Sequence, residues 1–162
     1  MIRIVPTEME MIEAKARAES MGILSSSVLK GAGNLVGFVG EQITARHTGG
    51  RIIDSYDYDI KIDDLRIDVK TKSCSTRPKG SYLCSVMSYQ LNNECDGYIF
   101  CRVNLTSKEA WILGYISKLR LLDEGFTMSK GDMDGKFKVV ENCISISIFD
   151  LDEVPVKRKV PF

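Results

Sequence analysis

Leu35, Phe38, Val39 and Ile43 recur at the spacing of one helix face, with Arg46 continuing the series. This pattern predicts a helix capped by Asn34 and reaching about His47, where Thr48-Gly49-Gly50 stops it. Upstream, Pro6 precedes Thr7 and Glu10, which have the spacing of a capping box, so a first helix is expected from about Glu8 to Ser20 with Gly22 ending it. A serine-rich turn and Gly31-Ala32-Gly33 separate the two. Gly37, Gly40, Glu41 and Thr44 form a small-residue flank beside the apolar stripe of the second helix. Such a flank lets a helix backbone approach a sheet closely, and it sets Glu41 at the sheet's rim.

From Ser55 to Lys72 the period falls to two. Ile60 and Ile62 alternate with charged residues, and Leu65, Ile67 and Val69 do the same, so two strands joined at Asp63-Asp64 are expected. A two-residue turn places Ile62 opposite Leu65, Ile60 opposite Ile67, Asp59 opposite Asp68 and Asp57 opposite Lys70. The four charged residues then share one face and the aliphatic residues the other. Further strands are expected at about Tyr82 to Met87, Gly97 to Val103, Ala110 to Tyr115, Lys136 to Val140 and Cys143 to Ile148. Short helical segments are expected at Ser88 to Asn93 and Ser117 to Glu124. No internal repeat or linker interrupts the pattern, and the 162 residues suit one domain burying roughly 70% of its unfolded surface.

Composition adds exclusions. With 44% hydrophobic and 27% charged residues the chain is neither collagen-like nor disordered. The longest stretch without charge, Gly80 to Asn93, is too short and too polar to span a membrane. Glu8, Glu10 and Glu13 stand where a secretory signal would carry a basic start and an apolar run, so an intracellular protein without membrane association is expected. Five cysteines, none at C-x-x-C spacing, and a single histidine, His47, argue against structural zinc and for free thiols. The net charge of zero gives no global reason to expect a nucleic-acid partner. Locally, however, six aspartates between Asp54 and Asp68 adjoin the basic strip Lys70, Lys72, Arg77 and Lys79.

Two opposed carboxylates are costly on a sheet unless a cation neutralises them. Asp59 and Asp68 are hard oxygen donors of the kind magnesium prefers, and Glu41 could complete the site. Lys70, two residues beyond Asp68 on the same face, could orient an attacking water, as metal-assisted phosphodiester hydrolysis requires. An acid followed two places later by lysine is expected about once by chance in a chain of this size. It occurs at Glu13, Asp59, Asp68 and Asp134, and only Asp68 has an acid directly opposite on an earlier strand.

Glu41 on a helix, Asp59 on one strand and Asp68-Val69-Lys70 on the next resemble the PD-(D/E)xK nuclease superfamily, over about Gly33 to Val103. The resemblance implies an α/β (α+β) restriction-endonuclease-like fold, a central mixed sheet flanked by helices with an αβββαβ core. It implies a Mg²⁺-dependent deoxyribonuclease, with Mn²⁺ able to substitute, acting as an endonuclease rather than an exonuclease. By position, Asp59, Asp68 and Glu41 become metal ligands together with the Val69 carbonyl, and Lys70 positions the water. Gln90 falls where some members have an accessory polar residue. Tyr58 replaces the motif's proline, and Asp57 competes for the first acidic position. Small stand-alone members include phage and mobile-element endonucleases, exonucleases and junction resolvases, which implies the cytoplasm of a bacterial or phage-infected host cell. Two-fold symmetric cleavage would suit a homodimer. Lys72, Arg77 and Lys79 are candidate contacts to the DNA phosphates. The alternative is an inactive domain of the same fold that binds nucleic acid or protein.

The remaining features have simpler readings. His47 suits a helix end, Asp132-Met133-Asp134-Gly135 is a turn lacking an EF-hand's later glycine and glutamate, and Lys157-Arg158-Lys159 is a solvated end.

Overall fold

A computed structural model describes residues 1–22, 32–53 and 55–158. In chain order it contains β1 (Ile2–Ile4), α1 (Glu8–Gly22), α2 (Ala32–Thr48), β2 (Arg51–Ile52), β3 (Ile60–Ile62), β4 (Leu65–Ser73) and β5 (Leu83–Met87). A 3₁₀ turn at Ser88–Asn92 leads to β6 (Gly97–Asn104), β7 (Glu109–Ser117) and α3 (Lys118–Glu124). Then come β8 (Phe126–Met128), β9 (Met133–Asp134), β10 (Phe137–Lys138), β11 (Cys143–Ser147) and a 3₁₀ turn at Ile148–Asp150. The architecture is mixed α+β. Six strands form a mixed sheet in the order β1-β7-β6-β4-β3-β2, in which only β4 and β6 run parallel. A three-stranded sheet, β5-β11-β8, and the β9-β10 hairpin complete the described strands.

The alternation in the Ser55 to Lys72 segment decides which face of the large sheet goes where. Ile60, Ile62, Ile67 and Val69 point to one side and join Ile99, Cys101 and Ile112 beneath Ala14 and Ala18 of α1 and Val39 and Ile43 of α2. Tyr98, Phe100, Trp111 and Leu113 point to the other side and meet Val86, Ile146, Ile148 and Leu121. Helices α1 and α2 therefore cover one face, whereas the small sheet and α3 cover the other. This departs from a sheet flanked only by helices, because β5 leaves the large sheet to pair with β11.

The local rules explain the helix ends. Thr7 and Glu10 close the capping box, with the Thr7 amide donating to Glu10 Oε2 at 2.7 Å and the Glu10 amide to Thr7 Oγ1 at 3.2 Å. Glu10 also accepts from Arg46 Nε at 2.7 Å, tying α1 to α2. Helix α2 is already under way at Ala32, so Asn34 sits inside it and is not its cap. The serine-rich turn and Gly31 lie outside the described residues. Gly40 serves the expected close approach: a Cβ there would lie 2.9 Å from Thr71 Cβ and closer still to Thr71 Oγ1. Gly37 does not, since nothing lies within 4 Å of a Cβ at that position.

The hairpin pairs Ile62 with Leu65 and Ile60 with Ile67, with Asp63 at the turn at φ 49°. The crossover from β4 to β6 uses β5 and a 3₁₀ turn, where the expected αβββαβ order would have a second helix. The expected strand Lys136 to Val140 shrinks to two residues, and Ile148 begins a 3₁₀ turn instead of ending a strand. Strands β1, β2 and β8 have too few residues to show an alternation. All five cysteines are free thiols. Lys157 is tied by its amide to the Thr48 carbonyl and Arg158 to Asp63, so the chain end is held as far as residue 158 while both side chains stay exposed. Among the described residues no helix is long and apolar enough to cross a membrane.

Candidate active site: a carboxylate cluster where the hairpin opens

The β3-β4 ladder ends at Ile60 and Ile67, and the next residue turns out of register. The Asp59 amide donates to the Ile67 carbonyl at 3.0 Å, and Ile53 donates to the Asp59 carbonyl at 2.7 Å, so Asp59 is not the ladder partner of Asp68. Its carboxylate instead reaches across the opening and accepts from the Val69 amide at 2.7 Å. A strand residue directs its amide and carbonyl to the same side, so the Val69 carbonyl faces this opening too. The expected pair Asp57 and Lys70 does not form. Asp57 Oδ1 accepts from the Glu94 amide at 3.2 Å, which holds it on the loop leading to β6.

Side-chain direction restores what the register loses. The Asp59 and Asp68 carboxyl groups are close enough to share a hydrogen bond, and Glu41 is near enough to add its charge. Burial first, then the charges of Asp68 and Glu41, push the Asp59 carboxyl up to about 8, against the opposing effect of the Val69 N–H. The Asp59 site therefore favours a proton over a bare negative charge.

The charged face is not solvated. Asp68 is 4% exposed, beside Tyr98 of β6. Lys70 Nζ lies 2.8 Å from Asp68 Oδ2, yet that buried oxygen receives no well-aligned hydrogen bond. Glu41, buried on α2, has its Oε2 2.6 Å from Arg17 Nη1 of α1. Arg17 also lies over the Phe38 ring, 4.1 Å from its centre.

Two cations thus sit on two of the three acids. Among the described residues no three His, Cys, Asp or Glu side chains stand together as a metal-holding group. The donors able to take part in one are Asp59, Asp68 and Glu41 with the Val69 carbonyl, all hard oxygens suited to magnesium or manganese. A buried acceptor with no aligned donor and a carboxyl pushed up to about 8 by burial and then by two neighbouring acids are both consistent with a site that takes up a cation.

The basic strip divides. Lys72 follows Lys70 on the same face of β4 and is exposed, as are Arg77 and Lys79 on the loop after it. Gln90, on the 3₁₀ turn, lines a cleft with Lys70 and Lys72. The sequence reading missed two residues. Arg17 lies in an amphipathic helix where nothing local marks it. Arg102 was legible as the one charge in the run from Gly97 to Ser107, a cation placed inside a strand otherwise buried on both faces. In comparisons with known proteins, no family model matches the chain and no curated protein does either.

Proposed function

We propose that the protein is a metal-dependent nuclease of restriction-endonuclease-like fold that hydrolyses phosphodiester bonds in DNA. The observation that carries the reading is the convergence of Asp59, just before β3, and Asp68 of β4 at the point where their hairpin opens, with Lys70 on Asp68 and Glu41 close behind. The run α2-β2-β3-β4, then β5 and a 3₁₀ turn, then β6 parallel to β4 supports it, since this follows the αβββαβ order with β5 inserted and the second helix reduced to a turn.

Asp59, Asp68, Glu41 and the Val69 carbonyl would hold Mg²⁺, or Mn²⁺ in its place. A divalent cation there supplies charge stabilisation at the phosphate and lowers the pKa of a bound water. The chain's own residues do the rest. The Val69 amide fixes the Asp59 carboxylate in the opening, and burial restricts water around Asp68. Lys70, anchored on Asp68, presents an ammonium whose donors can orient the attacking water. Arg77 and Lys79, exposed on the neighbouring loop, would contact the DNA backbone. A cytoplasmic setting in a bacterial or phage-infected cell, and a homodimer for two-strand cleavage, belong to the same proposal.

A second reading has one observation in its favour. Arg17 and Lys70 already neutralise Glu41 and Asp68, as in a domain that has ceased to bind metal and only binds nucleic acid or protein.

Cleavage of supercoiled, linear, single-stranded and branched DNA with Mg²⁺ or Mn²⁺, by the wild type, Asp68→Ala and Lys70→Ala, separates the two. Metal-dependent cleavage by the wild type, lost in both variants, is the expected result. Equal cleavage by all three would mean a contaminant or another site, and DNA binding without cleavage would favour the second reading.

A further inference from the structure

The charge pattern reverses on the far side of Lys70. Lys72 is the next residue on that face of β4, and the parallel register sets it beside Arg102 of β6. Like charges side by side on a sheet are unfavourable, and neither residue makes an ion pair among the described residues. Arg102 spends one donor, Nη2, on the Leu83 carbonyl at 3.1 Å, which holds the guanidinium against β5. The rest of its donor fork is left for another acceptor.

Both cations line a cleft of about 170 Å³ between β4, β6 and β5, whose wall also includes Lys70, Ser85 and Gln90 over a mostly apolar floor with Met87, Phe100 and Leu113. This is several times the roughly 30 Å³ share of one water, enough for a phosphate group with its waters. Lys72 is exposed at the mouth of the cleft, and desolvation by the cleft wall first, then the charge of Arg102, lowers its ammonium below the ordinary lysine range. Asp134 and the thiols of Cys84 and Cys143 oppose this from nearby, without pairing with Lys72.

We infer that this cleft holds the phosphate of the DNA strand adjacent to the one at the carboxylate cluster, gripped by Arg102 and Lys72 with Gln90 beside them. The inference rests on the proposed nuclease reading for the choice of DNA. Lys70 lines both places, and Lys72 lies two residues, about 6.6 Å, further along the strand, a separation comparable with the step between successive phosphates. Arg102 is thereby assigned as the fork that fixes the strand's register over the acids.

The test is binding of a fluorescein-labelled duplex and a single-stranded oligonucleotide in EDTA over a range of salt, with metal-dependent cleavage measured in parallel. The proteins are wild type, Arg102→Gln, Arg102→Lys, Lys72→Gln and Asp68→Asn. Arg102→Gln and Lys72→Gln are each expected to weaken binding about tenfold and to reduce the salt slope by about 1, irrespective of sequence. Arg102→Lys is expected to recover most of the slope, and melting temperatures show whether each variant is folded. A folded Arg102→Gln that binds with unchanged affinity and slope overturns the cleft assignment, even if Asp68→Asn abolishes cleavage and so leaves the nuclease reading standing. Conversely, no cleavage by the wild type together with loss of binding in Arg102→Gln keeps the cleft and removes the nuclease.

Discussion

Two glycines three residues apart on α2 should respond in opposite directions to the same substitution. At Gly40 an added Cβ would sit 2.9 Å from Thr71 Cβ and 3.0 Å from Thr71 Cγ2, where ordinary contact begins near 3.4 Å. Rotating the Thr71 side chain moves Oγ1 and Cγ2 but not Cβ. The helix and β4 must therefore separate by about 0.5 Å, in a layer where Val39 and Ile43 are fully buried. Overpacking of this kind costs about 1–3 kcal/mol, and the helix preference of alanine over glycine returns about 1 kcal/mol. The net for Gly40→Ala is a loss of up to about 2 kcal/mol, or up to about 8 °C in Tm for a chain of this size. At Gly37 nothing lies within 4 Å, so only the helix preference acts. Gly37→Ala should gain about 0.5–1 kcal/mol. Urea denaturation read by circular dichroism measures both, and Gly40→Ala combined with Thr71→Ala should recover part of the loss. A Gly40→Ala variant at least as stable as wild type would refute the reasoning. Since Glu41 follows Gly40 directly, the same variant should also impair metal-dependent cleavage, whereas Gly37→Ala should not.

Other expectations follow from the same geometry. The folded pKa of Asp59, about 8, lies above its usual 3.8, so the stability this group contributes is fully present below 3.8 and is lost as pH rises through about 8. Asp59→Asn keeps an acceptor for the Val69 amide without the charge. In EDTA its stability relative to wild type should rise between about pH 5 and about pH 9, and a difference that stays flat with pH would contradict the assignment. Arg17→Ala leaves the Glu41 carboxylate buried without its guanidinium and should cost about 1–3 kcal/mol in metal-free protein, partly restored by Mg²⁺. An unchanged Tm in EDTA would count against that pairing. Gly114 has φ +155°, and a Cβ there would meet Leu151 Cβ at 2.6 Å, so Gly114→Ala should lose about 2–4 kcal/mol by the same denaturation assay. A loss under about 0.5 kcal/mol would mean the strand bends away freely.

The sequence by itself determined what short-range rules can reach. Helical spacing placed the body of α2, the capping box began α1, and the alternation around Asp63-Asp64 set both the hairpin and its register from Ile62–Leu65 as far as Ile60–Ile67. The same alternation put Asp68 and Lys70 on one face and the aliphatic residues on the other. It also exposed the acid-rich and base-rich halves of the segment from Asp54 to Lys79. Tertiary structure decided the rest. The end of the ladder at Ile60 took Asp59 out of the pairing that alternation implies, because its amide and the Val69 amide found other partners across the opening. Pairing of β4 with β6 set Asp68 beside Tyr98, and β5, held by β11, set the Leu83 carbonyl against Arg102, which no local pattern could state. Arg17 reached Glu41 only because two helices pack side by side. Burial and charge proximity, which set the Asp59 pKa and the character of the cleft, are sums over neighbours that only the folded chain supplies.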